Sequence, residues 1–318
     1  MSILTRWFSS PPPSAALEIT SRRVNGAVVA EHGGGRVLSS HATEPLPAGA
    51  IEPALNAVNV HDMAALVRTI KTVVDRLTPR PRRIALVLPD TVAKLSLLRF
   101  DKIPPKAQDL EQLIRWQIRK AAPFKIEDAQ IAWIRGLAEA GGGGEFIVTV
   151  ARRDVIETYE RACEAAGVHA GIVDLASLNL INAVIAAGGA TGTDWLLVHV
   201  APDYGTLAVV RSGHLIFFRN RSTAGEDDLT DLVHQTAMYH EDRLGGGGFG
   251  RVVLAGATSR GPDQAERLRH HLEERIGTRV EAMDFRGVVS MRDRIAAAPD
   301  LLDALAPAVG VILRERVA

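Results

Sequence analysis

The chain has 318 residues, 47% of them hydrophobic and 23% charged, a composition that suits two medium globular domains with separate cores. Lys+Arg and Asp+Glu both number 37, so the formal net charge is zero, which argues against nucleic acid as the main partner. Cys163 is the one cysteine, which excludes an internal disulfide and a cysteine-based zinc centre and fits a reducing compartment.

In chain order, Met1 to Ser10 places Ile3, Leu4, Trp7 and Phe8 at helical spacing beside Arg6. Such a segment either lies at a membrane surface or is a disordered leader, and a leader over residues 1–14 is the preferred reading. It is too short before Pro11-Pro12-Pro13 to be a signal peptide. No run approaches the roughly 18 to 20 apolar residues that span a bilayer, so a cytoplasmic location is expected. Ala15 to Thr20, Val24 to Glu31 and Arg36 to Thr43 read as consecutive short strands, separated by Ser21-Arg22-Arg23 and Gly33-Gly34-Gly35. Val60 to Leu77 reads as a helix with Leu66, Ile70, Val73, Val74 and Leu77 on one face.

Ile84 to Leu88 is an uninterrupted apolar run, the pattern of a strand covered on both faces. Alternation continues from Ala93 to Phe100. Pro104-Pro105 then opens an amphipathic helix from Ala107 to Ala122, with Leu110, Leu113, Ile114 and Ile118 in its buried stripe. After the glycines 141–144, Phe146 to Ala151 reads as a strand, and Asp154 to Glu157 has the spacing of a capping box. That helix closes at Gly167, Gly171 to Leu175 returns as a strand, and Ser177 to Ala187 is a further helix.

The second half repeats the pattern. Asp194 to Val200, Thr206 to Val210 and His214 to Asn220 read as strands, Glu226 to Leu244 as a helix and Arg251 to Ala255 as a strand. Pro262 to Ile276 is a helix ending at Gly277, and Leu301 to Val317 is a last one, bent or started around Pro307. The repeated meander supports an internal duplication by pattern, not by residue identity.

The segment from Ile84 to Trp133 combines a strand stopping at Pro89-Asp90, an alternating stretch, a proline-opened helix and a stop at Pro123-Phe124. In this order of elements the chain resembles the type IV pilus assembly protein PilM family, actin-like proteins of an inner-membrane assembly platform. The resemblance implies an α/β, actin-like (ribonuclease H-like) two-domain fold. Residues 15–92 would form the first subdomain, 93–175 an inserted pilus-type subdomain and 176–192 a return helix. Residues 193–318 would form a second half lacking most of its outer subdomain, since little more than one helix separates Asn220 from Arg251.

Actin-like ATPases cradle phosphate on two Asp-Gly-Ser/Thr hairpins, whose backbone N–H groups must come close to the ligand. In this chain the corresponding loops are degenerate. Glu18 takes the acidic place but Thr20 replaces a glycine, and Ser21 follows. His199 and Ala201 replace the second Asp and Gly, Pro202 removes a donor, and Asp203 and Gly205 follow it. The adenosine loop keeps Gly256 and Thr258. The resemblance therefore implies a pseudo-ATPase with no catalytic residue and no cofactor. An active ATPase switch using Glu18 and Asp203 with ATP and magnesium is the alternative, and a type II secretion component, a relative that continues into a membrane helix, is a third reading.

The glycine-rich 245–250 stretch contains GxGxxG, but it follows a helix and precedes a strand, so it reads as a loop. His234, His240, His270 and His271 read as surface histidines without metal partners, and Cys163 as a packed thiol. The resemblance implies that the cleft beside the inserted subdomain grips the extended N-terminal tail of PilN, a bitopic membrane protein. Leu88, Pro89, Asp90, Arg115, Pro123 and Phe124 are the candidate contacts there. Pilus motor ATPases, self-assembly and peripheral membrane association extend the implied partners.

Overall fold

The computed structural model describes residues 13–138, 141–189, 192–222, 226–292 and 295–314. Within the expected leader, residues 1–12 lie outside the described residues, as do residues 315–317 of the expected last helix. Three sheets carry the structure.

The first sheet starts as an antiparallel meander of β1 (Ala15–Ile19), β2 (Arg23–His32) and β3 (Gly35–Pro45). Helix α1 (Met63–Arg76) then crosses to β4 (Arg83–Leu88), which pairs parallel with β1. The helix begins at Met63, later than the apolar spacing predicts, because the Asp62 side chain accepts from Ala65 N and caps it there. Its stripe of Leu66, Ile70, Val73 and Val74 is buried against the sheet. At Gly26 the contact is so close that a Cβ would lie 2.6 Å from Val73 Cγ1. All of β4 after Arg83 is buried, as expected of a strand covered on both faces.

After β4 the chain leaves to build a separate three-stranded sheet, ordered β5 (Ala93–Phe100), β7 (Gly144–Arg152), β6 (Ala129–Ala138). Helix α2 (Ala107–Ile118) covers one face, with Ile114 and Ile118 packed on Phe100, Phe146, Val148 and Val150. The inserted unit closes earlier than expected, at β7. Helix α3 (Arg153–Ala165) packs with α1 in the first core, and β8 (His169–Leu175) pairs parallel with β4 as the last strand of the six-stranded first sheet. Residues 153–175 therefore belong to the first half. The expected capping box is also absent, since Asp154 pairs with Arg152 and the helix has no side-chain cap.

The second half has the same topology. Strands β9 (Trp195–Val200), β10 (Tyr204–Arg211) and β11 (His214–Ser222) form a meander, and β12 (Arg251–Ala255) pairs parallel with β9. Helices α5 (Glu226–Leu244) and α6 (Pro262–Ile276) cover one face and β13 (Val280–Ala282) extends the sheet; α5 is numbered after α4 (Ala176–Val184), which leads into this half. Strand β14 (Val289–Met291) returns to pair with β3 of the first sheet.

Two helices join the halves. Helix α4 leads out of the first sheet, and α7 (Pro299–Leu313) leads back. Their crossing is tight: a Cβ on Gly310 would lie 1.9 Å from the Asn179 carbonyl oxygen. One continuous core runs from Ala16, Ala85 and Val87 of the first sheet, through these helices, to Leu197, Ala208 and Val253 of the second. Pro307 sits inside α7 and removes the backbone donor that would bond the Asp303 carbonyl.

Candidate functional site

The β1–β2 turn, the β9–β10 turn and the loop after β12 face one cavity of about 650 Å³. Glu18, Thr20, Ser21, Asp203 and Gly256 line it, as does Pro89. Gly205 and Thr258 do not. Gly205 is buried within β10, paired with Val200 and Arg221, and Thr258 is turned onto Asp303. Gly256 has φ of 80°, and a Cβ there would lie 2.2 Å from the Val200 carbonyl oxygen, so strand packing alone demands this glycine.

Several donors of these three loops are engaged within the protein. Thr20 Oγ1 accepts from the N–H groups of Arg22 at 3.3 Å and Arg23 at 3.0 Å, closing the first hairpin on itself. In the second hairpin Ala201 N donates to the Tyr204 carbonyl at 2.9 Å, and Pro202 has no N–H. In the third loop the Asp303 carboxylate of α7 accepts from Gly256 N, Thr258 N and Thr258 Oγ1. A protein carboxylate thus holds the backbone nest that would otherwise face an anionic ligand. Among the described residues no group of His, Cys, Asp and Glu is placed to hold a metal ion.

Glu18 lies under this cavity, 6% exposed, and accepts from Asn25 Nδ2 at 2.7 Å. Asn25 in turn donates to the Ala304 carbonyl and accepts from Thr43 Oγ1. Burial raises the Glu18 carboxyl above its ordinary value, and the Asn25 bond opposes this only in part. The folded chain therefore holds this proton more tightly than the unfolded chain. The stability Glu18 contributes is full below its unfolded pKa and falls as pH rises through the higher folded value. Glu18→Gln keeps an acceptor for Asn25 and removes the titration. It should raise the unfolding temperature at pH 7 and leave it unchanged below pH 4, as measured by thermal melts at the two pH values.

Asp90 does not reach the surface. It is 0% exposed and anchors a polar network between the halves. Its carboxylate accepts from Ser177 N at 3.0 Å, from Thr206 Oγ1 at 2.7 Å and from Ser177 Oγ, while its own N–H donates to Tyr204 Oη at 3.0 Å. His199 Nδ1 lies 2.8 Å from Ser177 Oγ and 3.6 Å from Asp90. Because the serine proton goes to Asp90, the imidazole carries a hydrogen on Nδ1. Burial pushes the Asp90 carboxyl up, but His199 and the two Ser177 bonds outweigh it and hold the group below the ordinary range. This serine, histidine and aspartate set is a structural tie. The hydroxyl sits between the other two groups, donating to the carboxylate and facing the imidazole.

The remaining partner candidates do not form one surface. Leu88 is 0% exposed and contributes to the base of a second cavity, whereas Pro89 is buried and faces the first. Arg115, Pro123 and Phe124 lie on the α2 side of the inserted sheet. There Arg115 pairs with Glu111 at 3.0 Å, Phe124 packs in the α2 core and the exposed Pro123 offers its carbonyl to Asn56.

The second cavity is an apolar groove of about 1000 Å³ between the opposite face of the inserted sheet and the first half. Ala132, Ile134, Thr149 and Ala151 form one wall, Ile156, Glu157 and Glu160 of α3 a second, and Leu178, Ile181 and Ile185 a third. Val173, Asp174 and Leu175 of β8 run along it, and among the described residues β8 pairs with no further strand on its outer edge. Burial raises the Asp174 carboxyl, against the Arg314 guanidinium 3.0 Å away. The expected contacts missed this groove because its wall is β6, a strand absent from the sequence reading. The available signal was the short apolar run Ile131 to Ile134, rich in strand-forming side chains.

His240 is also not on the surface. Its ring is buried, stacks on Phe249 at 4.5 Å between centroids and meets the Asp194 carboxylate that Arg211 also binds. Cys163 is buried beside α1, and burial pushes its thiol up to about 12.

Two meanders, each closed by a parallel strand and facing each other across a cleft with two crossing helices beneath, define an actin-like protein. The chain belongs to the family described as type IV pilus assembly protein PilM, whose model matches residues 16–243. Among solved structures, one of a PilM–PilN type IV pilus biogenesis complex is 17% identical, with 96% of this chain and 97% of that chain covered at a TM-score of 0.80. A Bacteroides thetaiotaomicron protein with an actin-like ATPase fold is 10% identical over 89% of this chain and 94% of that one, at a TM-score of 0.52. No curated protein matches the chain by sequence.

Proposed function

We propose that this protein is a scaffold at the cytoplasmic face of a type IV pilus inner-membrane assembly platform, and that its apolar groove takes the N-terminal cytosolic tail of a PilN-like bitopic membrane protein. The observation that carries this reading is that the outer edge of β8, which pairs with no further strand among the described residues, runs beside the apolar wall of the inserted sheet. An extended peptide gains backbone hydrogen bonds from such an edge and specificity from pockets for alternate side chains. Family membership and the fold shared with one chain of a PilM–PilN complex support it.

Nucleotide chemistry is lost in this reading, because Thr20 engages donors of the first hairpin, Pro202 removes one from the second, and Asp303 engages those of the loop after β12. One feature favours the alternative of a nucleotide-dependent switch, namely that Arg22, Arg23 and Arg260 line the first cavity. Ala132→Trp separates the two sites, since Ala132 is exposed in the groove and packs in no core. In calorimetric titration with a synthetic tail peptide of the membrane partner, this variant should bind about 30-fold more weakly, the size of one lost hot spot. Unaltered affinity would remove the groove from consideration.

A further inference from the structure

The charged side chains that line the second cavity balance in sign, Arg36, Arg153 and Arg314 against Glu157, Glu160 and Asp174. The groove therefore selects no net charge, and depth sets one of these groups apart. Arg36, Arg153 and Glu157 are exposed, and Glu160 is half-buried on the α3 wall. The Asp174 side chain is 17% exposed and belongs to β8 itself, between Val173 and Leu175. It is a carboxylate on the strand edge that the peptide would pair with.

That carboxylate has acceptor capacity to spare. Oδ1 accepts from Leu175 N at 2.8 Å, and Oδ2 accepts from Arg314 Nη1 at 3.0 Å. An ionised carboxylate offers about four lone-pair sites, so about two remain for whatever fills the groove. Burial raises this carboxyl even with the Arg314 charge beside it, so the ion pair offsets its desolvation only in part. A strand added to β8 would lie about 4.8 Å away and shut solvent out. An apolar side chain there would strip the carboxylate and give no hydrogen bond in return, whereas a donor would complete it.

We propose that Asp174 is the specificity-determining residue of the groove, admitting an extended segment only when one of its side chains donates a hydrogen bond to this carboxylate. The inference rests on the groove being the peptide site, and it adds what the peptide must carry. Apolar residues meet the walls, and one hydroxyl, amide or cationic donor faces β8. Arg314 favours the ionised form of Asp174 and so keeps it an acceptor. A segment that is apolar throughout is rejected, because a site built to hydrogen-bond is left unpaired by an analogue lacking the donor.

The test is a double-mutant cycle by calorimetric titration of the full chain with the synthetic tail peptide of the membrane partner. Each side-chain donor of the peptide is replaced by alanine in turn. One replacement should weaken binding to the wild type about 10- to 100-fold, the range for a hydrogen bond to a charged group. On Asp174→Leu the same replacement should change affinity less than about threefold, while the others act alike on both proteins. Asp174→Asn preserves the shape of the side chain, so the cycle is still read if the leucine variant fails to fold. With it the replacement should cost about 3- to 10-fold, as for a neutral bond. The absence of any position coupled to Asp174 would overturn the proposal, as would unreduced affinity for a peptide with every donor replaced. Ala132→Trp keeps the two readings apart. If it weakens binding and no position couples to Asp174, the groove holds the peptide and this inference alone falls. If it leaves binding unaltered, the groove reading falls with it.

Discussion

Asp90→Ala is expected to lower the unfolding free energy by about 3–5 kcal/mol, the range for removing one partner of a buried charged network. The carboxylate takes two hydrogen bonds from Ser177 and one from Thr206, and it is 0% exposed. Ser177→Ala removes one donor and leaves the Ser177 N–H and Thr206 bonds, so it should cost about 1–2 kcal/mol. Acid unfolding gives an independent reading. The folded pKa of Asp90 is depressed, so its contribution is present above the unfolded value of 3.8 and lost as pH falls through the folded one. The gap between wild type and Asp90→Ala in urea melts should therefore be constant from pH 7 to pH 5 and close only below about pH 3.8. A gap that closes at neutral pH would mean that Asp90 is not the ionised hub.

Gly310→Ala is the second large effect, and its sign separates two physical accounts. Helix propensity alone assigns the change a gain of about 1 kcal/mol, because glycine is the costlier residue inside a helix. The geometry assigns it a loss. The new Cβ would lie 1.9 Å from the Asn179 carbonyl oxygen and 2.6 Å from its carbon, and backbone cannot rotate away as a side chain can. Asn179 is itself held, 0% exposed and bonded to the Leu175 carbonyl at 2.8 Å. Helices α4 and α7 must separate, at a cost of about 3 kcal/mol. Thermal unfolding decides: a lower midpoint supports the tight crossing, whereas a higher one means that the two helices are free to part.

Local chemistry carries much of this fold. The bounds of α5 and α6 follow from punctuation, with Pro262 opening α6 and Gly277 closing it in the left-handed conformation. Strand β4 declares itself because burial on both faces leaves no polar alternation. Strand β6 hid for the related reason that both its faces are apolar, Ile131 and Trp133 toward α2, and Ala132 and Ile134 toward the groove. The three-residue strands β13 and β14 are too short for a local pattern and exist through pairing with β12 and β3.

The site was harder to read for a different reason. Degenerate hairpins are visible as missing glycines, but the compensating contacts are long-range. Asp90 meets Ser177 across 87 positions and Thr206 across 116, and Asp303 meets Thr258 across 45. No spacing rule encodes such meetings. Asp90 is expected among the partner contacts because the resemblance places the partner's tail at the Pro89-Asp90 junction. Here the chain turns inward and the second half closes over it.

These ties bear on how the molecule works. The two halves are joined by the Asp90 network, the Asp303 carboxylate and one shared core, ties that on the proposed scaffold reading hold the cleft in one state. The measurement that tests this account most directly is calorimetric titration of the full chain with magnesium ATP, and with the partner's tail peptide in its presence and absence. The expected result is peptide binding of equal affinity in both conditions and no heat from the nucleotide. Micromolar nucleotide binding, or a peptide affinity that shifts when magnesium ATP is added, would contradict it.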